Sequence, residues 1–471
     1  MKRQAEQGDV DFITGDYLAE VSLAEDAEAV RNGRHDGWFP TCWDGIEQSL
    51  DVIAEKDIKI IVNGGGLNPR GLAEKVQMLI NERAHSLKVA YVSGDDVFTM
   101  IQAQLTQTGS LPPHLDSSNP EVSLDNRALA FTNVRQNPLV AANAYLGARA
   151  ILAALNAGAD IIICGRVSDA SPVIAAAWWW HSCDVTADIT NARLEPAGKN
   201  RVRLTGITGS PPPPTTKLGI FYHGGYQCQL LLNATGYNTE LKWSLLEKQI
   251  KICFLLTGNA NDSNPQTQLK STTYCRVFAQ AVDESTVSAL RAAWVEFVMQ
   301  HFSGMHYSLD LRTAVPARYK AYYPALYPQS SLEEYAHLLR PDLTIDQSIA
   351  AGHPPRYEIT QNRSDKGGNV NFGIFPKRGE IWPWFQGFMS RERLRQLIGC
   401  DWKDEYFIER TEFPLIHSVH FVVYGILGRG SSSSVLLDNL GKGFADYIRD
   451  KLVDVPVEIA DISGGIASGE E

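Results

Sequence analysis

Residues 158–171 read GADIIICGRVSDAS. An apolar run from Ile161 to Cys164 passes directly into Gly165, Arg166, Ser168 and Asp169. A strand that is apolar at every position, without the alternation of a half-exposed sheet, belongs to a parallel sheet covered on both faces. Ligands of such sheets sit beyond the carboxyl ends of the strands, where loops leave the buried layer. The charged residues at the end of this run therefore mark the rim on which a site is expected.

The same pattern recurs upstream. IKIIV (58–62) is a β-branched run followed by NGGGLNP, after which Leu72, Val76, Leu79 and Ile80 recur at helical spacing. Asn68 is placed to cap that helix and Pro69 to open it. KVAYV (88–92), ending in SGDD, closes a β-α-β unit, and VDFI supplies another strand before Thr14, Gly15 and Asp16. The Ala- and Leu-rich segment from Leu139 to Asn156 reads as a helix stopped at Gly158. The fold class expected is α/β, a mainly parallel sheet flanked by helices, followed by a smaller α+β domain.

Downstream, four prolines (211–214) precede TTKLGIFYHGGYQCQLLLNAT, where HGG is read as a turn between two strands. Helices are expected to dominate about 240–345. DQSIAAGHPPR (346–356) is rich enough in Pro and Gly for a linker. The domains are accordingly set at 1–345 and 357–460, with a tail at 461–471.

Several residues at these strand ends could carry chemistry. Asn63, Gly64, Gly65 and Gly66 could offer main-chain N–H groups to a phosphate or carboxylate, or form only a tight turn. Asp95 and Asp96, with Asp16 and Asp169, could gather for acid–base work or around a hard cation such as Mg²⁺. Taken singly, acidic residues in polar loops are usually solvated or serve as helix caps. The planar fork of Arg166 suits a carboxylate or phosphate, and also suits a pairing with Asp169. Ser168 lies in the same loop. His223 titrates near neutrality and could carry a proton. Trp178 to Trp180 would line an apolar pocket or fill core. In RSDKGGNVN (363–371), Arg363 and Lys366 stand among acidic and amide groups, as in a ligand loop or a salt-bridged surface turn.

Composition removes other classes. The net charge of −11 gives no basic face to displace counterions from phosphates, which argues against nucleic acid as a partner. VIAAAWWW (173–180) is far shorter than the roughly 20 apolar residues of a membrane span. MKRQAEQGDV lacks the pattern of a secretion signal, so a cytoplasmic protein is expected. Seven cysteines without a C-x-x-C pair indicate neither a disulfide framework nor a zinc site. No G-x-S-x-G elbow and no dinucleotide fingerprint occur. Cys164, inside its apolar strand, is expected to be inert.

Taken together, DFITGDYLAE (11–20), IVNGGGLNPRGLA (61–73), VAYVSGDDV (89–97), ANAYLGARAI (142–151), GADIIICGRVSDAS and TGSPPPPTTKLGIFYHGGYQ (208–227) resemble the acyclic terpene utilisation protein family, AtuA. NRSDKGGNVNFGIF (362–375) and LLDNLGKGF (436–444) are similar to the ferredoxin-like module of that family. The resemblance implies an α/β domain, a ferredoxin-like domain, and a role in breaking down acyclic terpenoids or branched acyl-CoA compounds. Against that pattern the chain reads as shortened at its N-terminus and near 180–200, and R-S-D-K-G-G stands where R-S-G-D-K-G is usual. The expected activity is hydratase or lyase chemistry on a carboxylated or CoA-linked small molecule. Asp95, Asp96 and Asp169 would be acid–base or Mg²⁺ groups and Arg166 the anion clamp. The alternative is a binding or assembly subunit without turnover. Homo-oligomerisation is left open, and CoA enters only as part of the substrate.

Overall fold

The computed structural model describes residues 1–117, 119–122, 138–180, 186–188, 193–198, 201–206, 208–210, 214–235, 239–250, 255–257, 272–297, 305–307, 312–352, 368–428 and 438–459. The chain forms two compact units, the first from Met1–Val134, Leu139–Phe221 and Tyr322–Glu471, the second from Arg135–Pro138 and Tyr222–Ala321. Residues 1–345 contribute to both units, and the C-terminal module belongs to the first.

The first unit is built on β1 (Phe12–Gly15), β2 (Lys59–Val62), β3 (Val89–Ser93), β4 (Leu139–Ala144) and β5 (Ile161–Ile163). β1, β2, β5 and β3 lie side by side in that order, every neighbouring pair parallel. Tyr335–Leu339 and Ile345–Ala350 extend the sheet antiparallel beyond β3. Because the parallel strands point one way, Gly15, Val62, Ser93 and Ile163 end on one rim. Helix Pro69–Glu82 covers one face, capped by Asn68, whose side chain accepts from the Gly71 N–H over 2.9 Å. Ile60, Val62, Leu72, Val76, Ile80, Val89, Ile161 and Ile163 pack there as the main core.

Three expectations change. Residues 139–144 are strand, and the helix is only Arg149–Asn156. All six residues of β4 are buried, and small alanines that fit between covering layers override their helical preference. Thr215–Thr235 is one unbroken strand rather than a hairpin about HGG. Gly224 and Gly225 instead allow close approach: a Cβ on Gly224 would run into the Tyr319 ring, and one on Gly225 into Ala281 O. Ile345–Ala350, where the linker was expected to begin, is paired strand.

From about residue 240 the second unit mixes strands with two long helices, where helices were expected to dominate. Thr272–Ala281 runs antiparallel to Tyr226–Thr235, with Leu255–Thr257 and Met305–Tyr307 at the borders. Helices Thr239–Ile250 and Glu284–Phe297 place Trp243 and Trp294 against Leu232, Cys275 and Val277.

The C-terminal module contains Val370–Ile374, Phe407–Phe413 and Ser418–Tyr424, with Ser418–Tyr424 central and both pairings antiparallel. Helices Trp382–Phe388, Arg391–Ile398 and Phe444–Arg449 supply Trp382, Leu394, Ile398 and Ile448 to a core closed by Phe372, Val419 and Phe421. Helix Arg391–Ile398 is capped by Ser390, whose Oγ accepts from the Arg393 N–H.

Candidate functional site

The continuation of β4 stitches the ends of β3 and β5 together. Ala144 N donates to Asp95 O over 2.7 Å, Leu146 N to Arg166 O over 3.3 Å, and Ser168 N to Leu146 O over 2.9 Å. These bonds bring Asp95 and Arg166, distant in sequence, to one point on the rim.

Asp95 is buried, and its Oδ2 accepts from the Arg166 main-chain N–H at 2.9 Å and from Asn143 Nδ2 at 3.1 Å. Gly165 makes the approach feasible, because a Cβ there would lie 2.8 Å from that same Oδ2. Burial pushes the Asp95 carboxyl up to about 6, against the downward pull of its two donors. Asp96 is exposed and its Oδ1 accepts from Phe98 N over 2.9 Å, at the start of helix Phe98–Thr108. The bond closes a local turn ahead of the helix.

Arg166 is 1% exposed, and its fork is turned inward. Nε and Nη2 donate to Val167 O, Nη1 to Leu18 O over 2.9 Å, and Nη2 to Asp169 Oδ1 over 2.7 Å. Asp169 is two-thirds exposed at the other end of this pair. The anion-clamp expectation therefore meets a guanidinium already engaged with main-chain carbonyls and one carboxylate. Ser168 is half-buried beside it.

On the neighbouring strand ends, Asn63 Oδ1 accepts from Tyr17 N over 2.7 Å and its Nδ2 donates to Asp16 Oδ1 over 2.6 Å. Asn63 thus ties the β1 loop to the β2 loop. Gly64, Gly65 and Gly66 are buried, and the Gly65 and Gly66 N–H groups donate to Cys164 O and Asn63 O. Cβ atoms there would collide with Cys42, Pro69, Cys164 O or Gly37 O, and Gly66 has φ +55°. The triple glycine serves close packing and a left-handed turn, and this space is already filled by the protein. Burial also pushes the Cys42 thiol up to about 12 and raises Cys164, which leaves both unreactive.

Sequence reading missed the polar groups that surround Arg166. Tyr145, just past β4, lies with its ring 4.4 Å from the Arg166 guanidinium and 4.5 Å from Lys217 Nζ. Its hydroxyl donates to Glu20 Oε1 over 2.8 Å, and Lys217 Nζ pairs with the same oxygen at 3.5 Å. Lys217 and Tyr145 are buried, and Tyr322 packs beside them, its ring 5.7 Å from Lys217 Nζ. The signal was present in the sequence: DFITGDYLAE, ANAYLGARAI, GADIIICGRVSDAS and TTKLGIFYHGG contribute Glu20, Tyr145, Arg166 and Lys217 in turn.

Asp16, Asp95, Asp96 and Asp169 do not form the anticipated cation site. Among the described residues no group of three or more His, Cys, Asp or Glu side chains could hold a metal ion. His223 belongs to the second unit, within its continuous strand. Arg363 and Lys366 lie outside the described residues, as do the side chains of Trp178 to Trp180. Among the described residues no helix is long and apolar enough to cross a membrane.

Fold and rim together define an α/β protein with a buried ionisable cluster at the carboxyl ends of its parallel strands and a ferredoxin-like module after it. The chain belongs to the acyclic terpene utilisation family, AtuA, whose model matches residues 1–182 and 181–338. The AtuA ferredoxin-like domain matches residues 355–454. The two AtuA stretches meet at 181–182, at the edge of the region read as shortened. Comparison with curated proteins and with solved structures gives no match.

Proposed function

We propose that this AtuA family protein is a hydratase or lyase acting on a branched, carboxylated or CoA-linked compound of acyclic terpenoid metabolism, with Asp95 as the proton carrier. The observation that carries this reading is the burial of Asp95, which brings its carboxyl to about 6, where both protonation states are accessible near neutrality. In the hydration direction, the Asp95 carboxylate takes a proton from water as the water oxygen bonds to the β-carbon of an enoyl group. The π electrons shift onto the acyl oxygen, and the Asp95 carboxyl returns a proton to the α-carbon. Elimination is the reverse. The Arg166 main-chain N–H, which donates to Asp95 Oδ2, holds the carboxyl in place during this exchange. Asp96 and Asp169 are exposed and have no part in this proton transfer.

The inward engagement of Arg166 favours a second reading, a ligand-holding subunit without turnover. Incubating the full chain with 3-methylbut-2-enoyl-CoA, and following loss of the enoyl thioester absorbance, separates the two. Turnover that falls about 100-fold or more in Asp95→Asn supports the enzyme. Equal turnover in the variant rejects the role of Asp95. Thermal stabilisation by the thioester with no turnover selects the binding reading.

A further inference from the structure

The Tyr145 hydroxyl and Lys217 ammonium converge on a single carboxylate oxygen, and the carboxylate that occupies the position is the protein's own. Tyr145 and Lys217 belong to a rigid pair of strand ends: Tyr145 N donates to Lys217 O over 2.9 Å and Thr216 Oγ1 to Tyr145 O over 2.6 Å. Glu20 differs in every respect. It opens helix Glu20–Arg31 after an extended Ala19 and follows the loop that carries Asp16. Its side chain is 29% exposed, against 8% for Lys217. Its separation of 3.5 Å from Nζ is long for a charge-assisted bond.

A second observation points into the same place. The Tyr322 hydroxyl is buried and closes no well-formed hydrogen bond among the described atoms, while Tyr145 and Lys217 both lie close enough to act on it; a ligand oxygen between the three would complete its bonding. Burial pushes this phenol up and Lys217 pulls it back, which places its hydroxyl within the field of the ammonium.

We infer that Tyr145, Lys217 and Tyr322 form a receptor for the carboxylate, or the equivalent acyl oxygen, of a small ligand, and that Glu20 is an internal occupant which swings toward solvent when the ligand enters. The receptor deepens the proposed function, since it assigns the anchor of the substrate to residues other than Arg166. Its geometry nonetheless holds for any small carboxylate, whether or not turnover follows.

The test uses 3-methylbut-2-enoate and its neutral amide as probes, titrated calorimetrically into the full chain and into Glu20→Gln, Tyr145→Phe and Lys217→Met. Removing the internal charge should tighten carboxylate binding about tenfold or more in Glu20→Gln, and the other two variants should weaken it by a similar factor. The amide should bind poorly throughout. Carboxylate affinity in Glu20→Gln no higher than in the wild type, or equal affinities for acid and amide, would overturn the receptor. If Lys217→Met does not fold, the opposite shifts expected in Glu20→Gln and Tyr145→Phe decide the matter. Carboxylate binding that persists in a protein without hydratase turnover removes the enzyme reading and leaves the receptor standing.

Discussion

Arg166 donates its main-chain N–H to Asp95 Oδ2 over 2.9 Å, so that the loop after β5 holds the carboxyl presented by the loop after β3. Such a bond alone would favour the carboxylate and keep its titration low. The Asn143 amide adds a second donor in the same sense. Burial acts against both and prevails, since the group titrates at about 6 instead of 3.8. The site therefore holds a carboxyl whose charge is costly to keep.

That cost sets a pH dependence of stability with a definite sign. Between about 3.8 and 6 the unfolded chain has released this proton while the folded chain retains it. The folded state binds more protons there, so stability falls as pH rises through that window and is constant on either side. A shift of this size corresponds to about 3 kcal/mol in total. Urea unfolding across pH 4 to 7 should show Asp95→Asn gaining on the wild type over the window. Parallel curves for the two proteins would mean that Asp95 is not held as described.

Arg166 and Asp169 form one pair with very different surroundings, and removing either member should tell them apart. Asp169 is two-thirds exposed, and Asp169→Asn should cost less than about 1 kcal/mol. Arg166→Met removes the donor to Leu18 O and Val167 O inside the protein and should cost about 3 kcal/mol or more. The two denaturation midpoints make the comparison. Near-equal losses would show that Arg166 serves the exposed pair and not the main chain.

Part of this arrangement was legible in sequence, and the reason is periodicity. Apolar runs at 60–62, 89–92 and 161–164 sufficed to place parallel strands and therefore a rim, and Asp95 and Arg166 do meet on it. What could not be read was direction. Nothing in GRVSDAS says that the arginine turns inward to carbonyls, since the acceptors at Leu18 and Val167 are main-chain atoms without a sequence signature. LVAANA carried a helical preference that only its burial between covering layers reverses. Lys217 and Tyr145 looked ordinary because their meaning lies in the pairing of two strand ends, and HGG suggested a turn where the glycines admit a tyrosine ring and a carbonyl.

The glycine turn after β2 gives a test of packing as against ligand binding. A Cβ on Gly65 would lie 2.6 Å from Pro69 Cα and 2.7 Å from Cys164 O, both fixed main-chain atoms. Gly65→Ala should therefore lower stability by about 1–3 kcal/mol, through displacement of the helix start or the end of β5. Equilibrium denaturation measures this directly. An unchanged midpoint would show the turn to be open and would restore it as a candidate anion cradle.

Asn369 and Asp116 offer the sharpest test of how the C-terminal module is fastened within its unit. Asn369 Nδ2 donates to Asp116 Oδ2 over 3.1 Å while its Oδ1 accepts from Gly425 N over 2.9 Å, and both side chains are buried. Asn369→Ala removes a donor and an acceptor together and should cost about 2 kcal/mol or more, because the groups left behind have no access to water. Asn369→Asp is the more informative change. It retains the acceptor for Gly425 but sets a second carboxylate against Asp116, whose carboxyl burial already pushes up while Asn369 and Lys217 pull it down. At neutral pH this variant should be the less stable of the two. As pH falls, one carboxyl of the new pair takes up a proton and donates to the other, so Asn369→Asp should recover toward the wild type while Asn369→Ala does not. Denaturation midpoints of the three proteins at two pH values reveal the crossover, and parallel behaviour of the two variants would exclude a direct contact between these side chains.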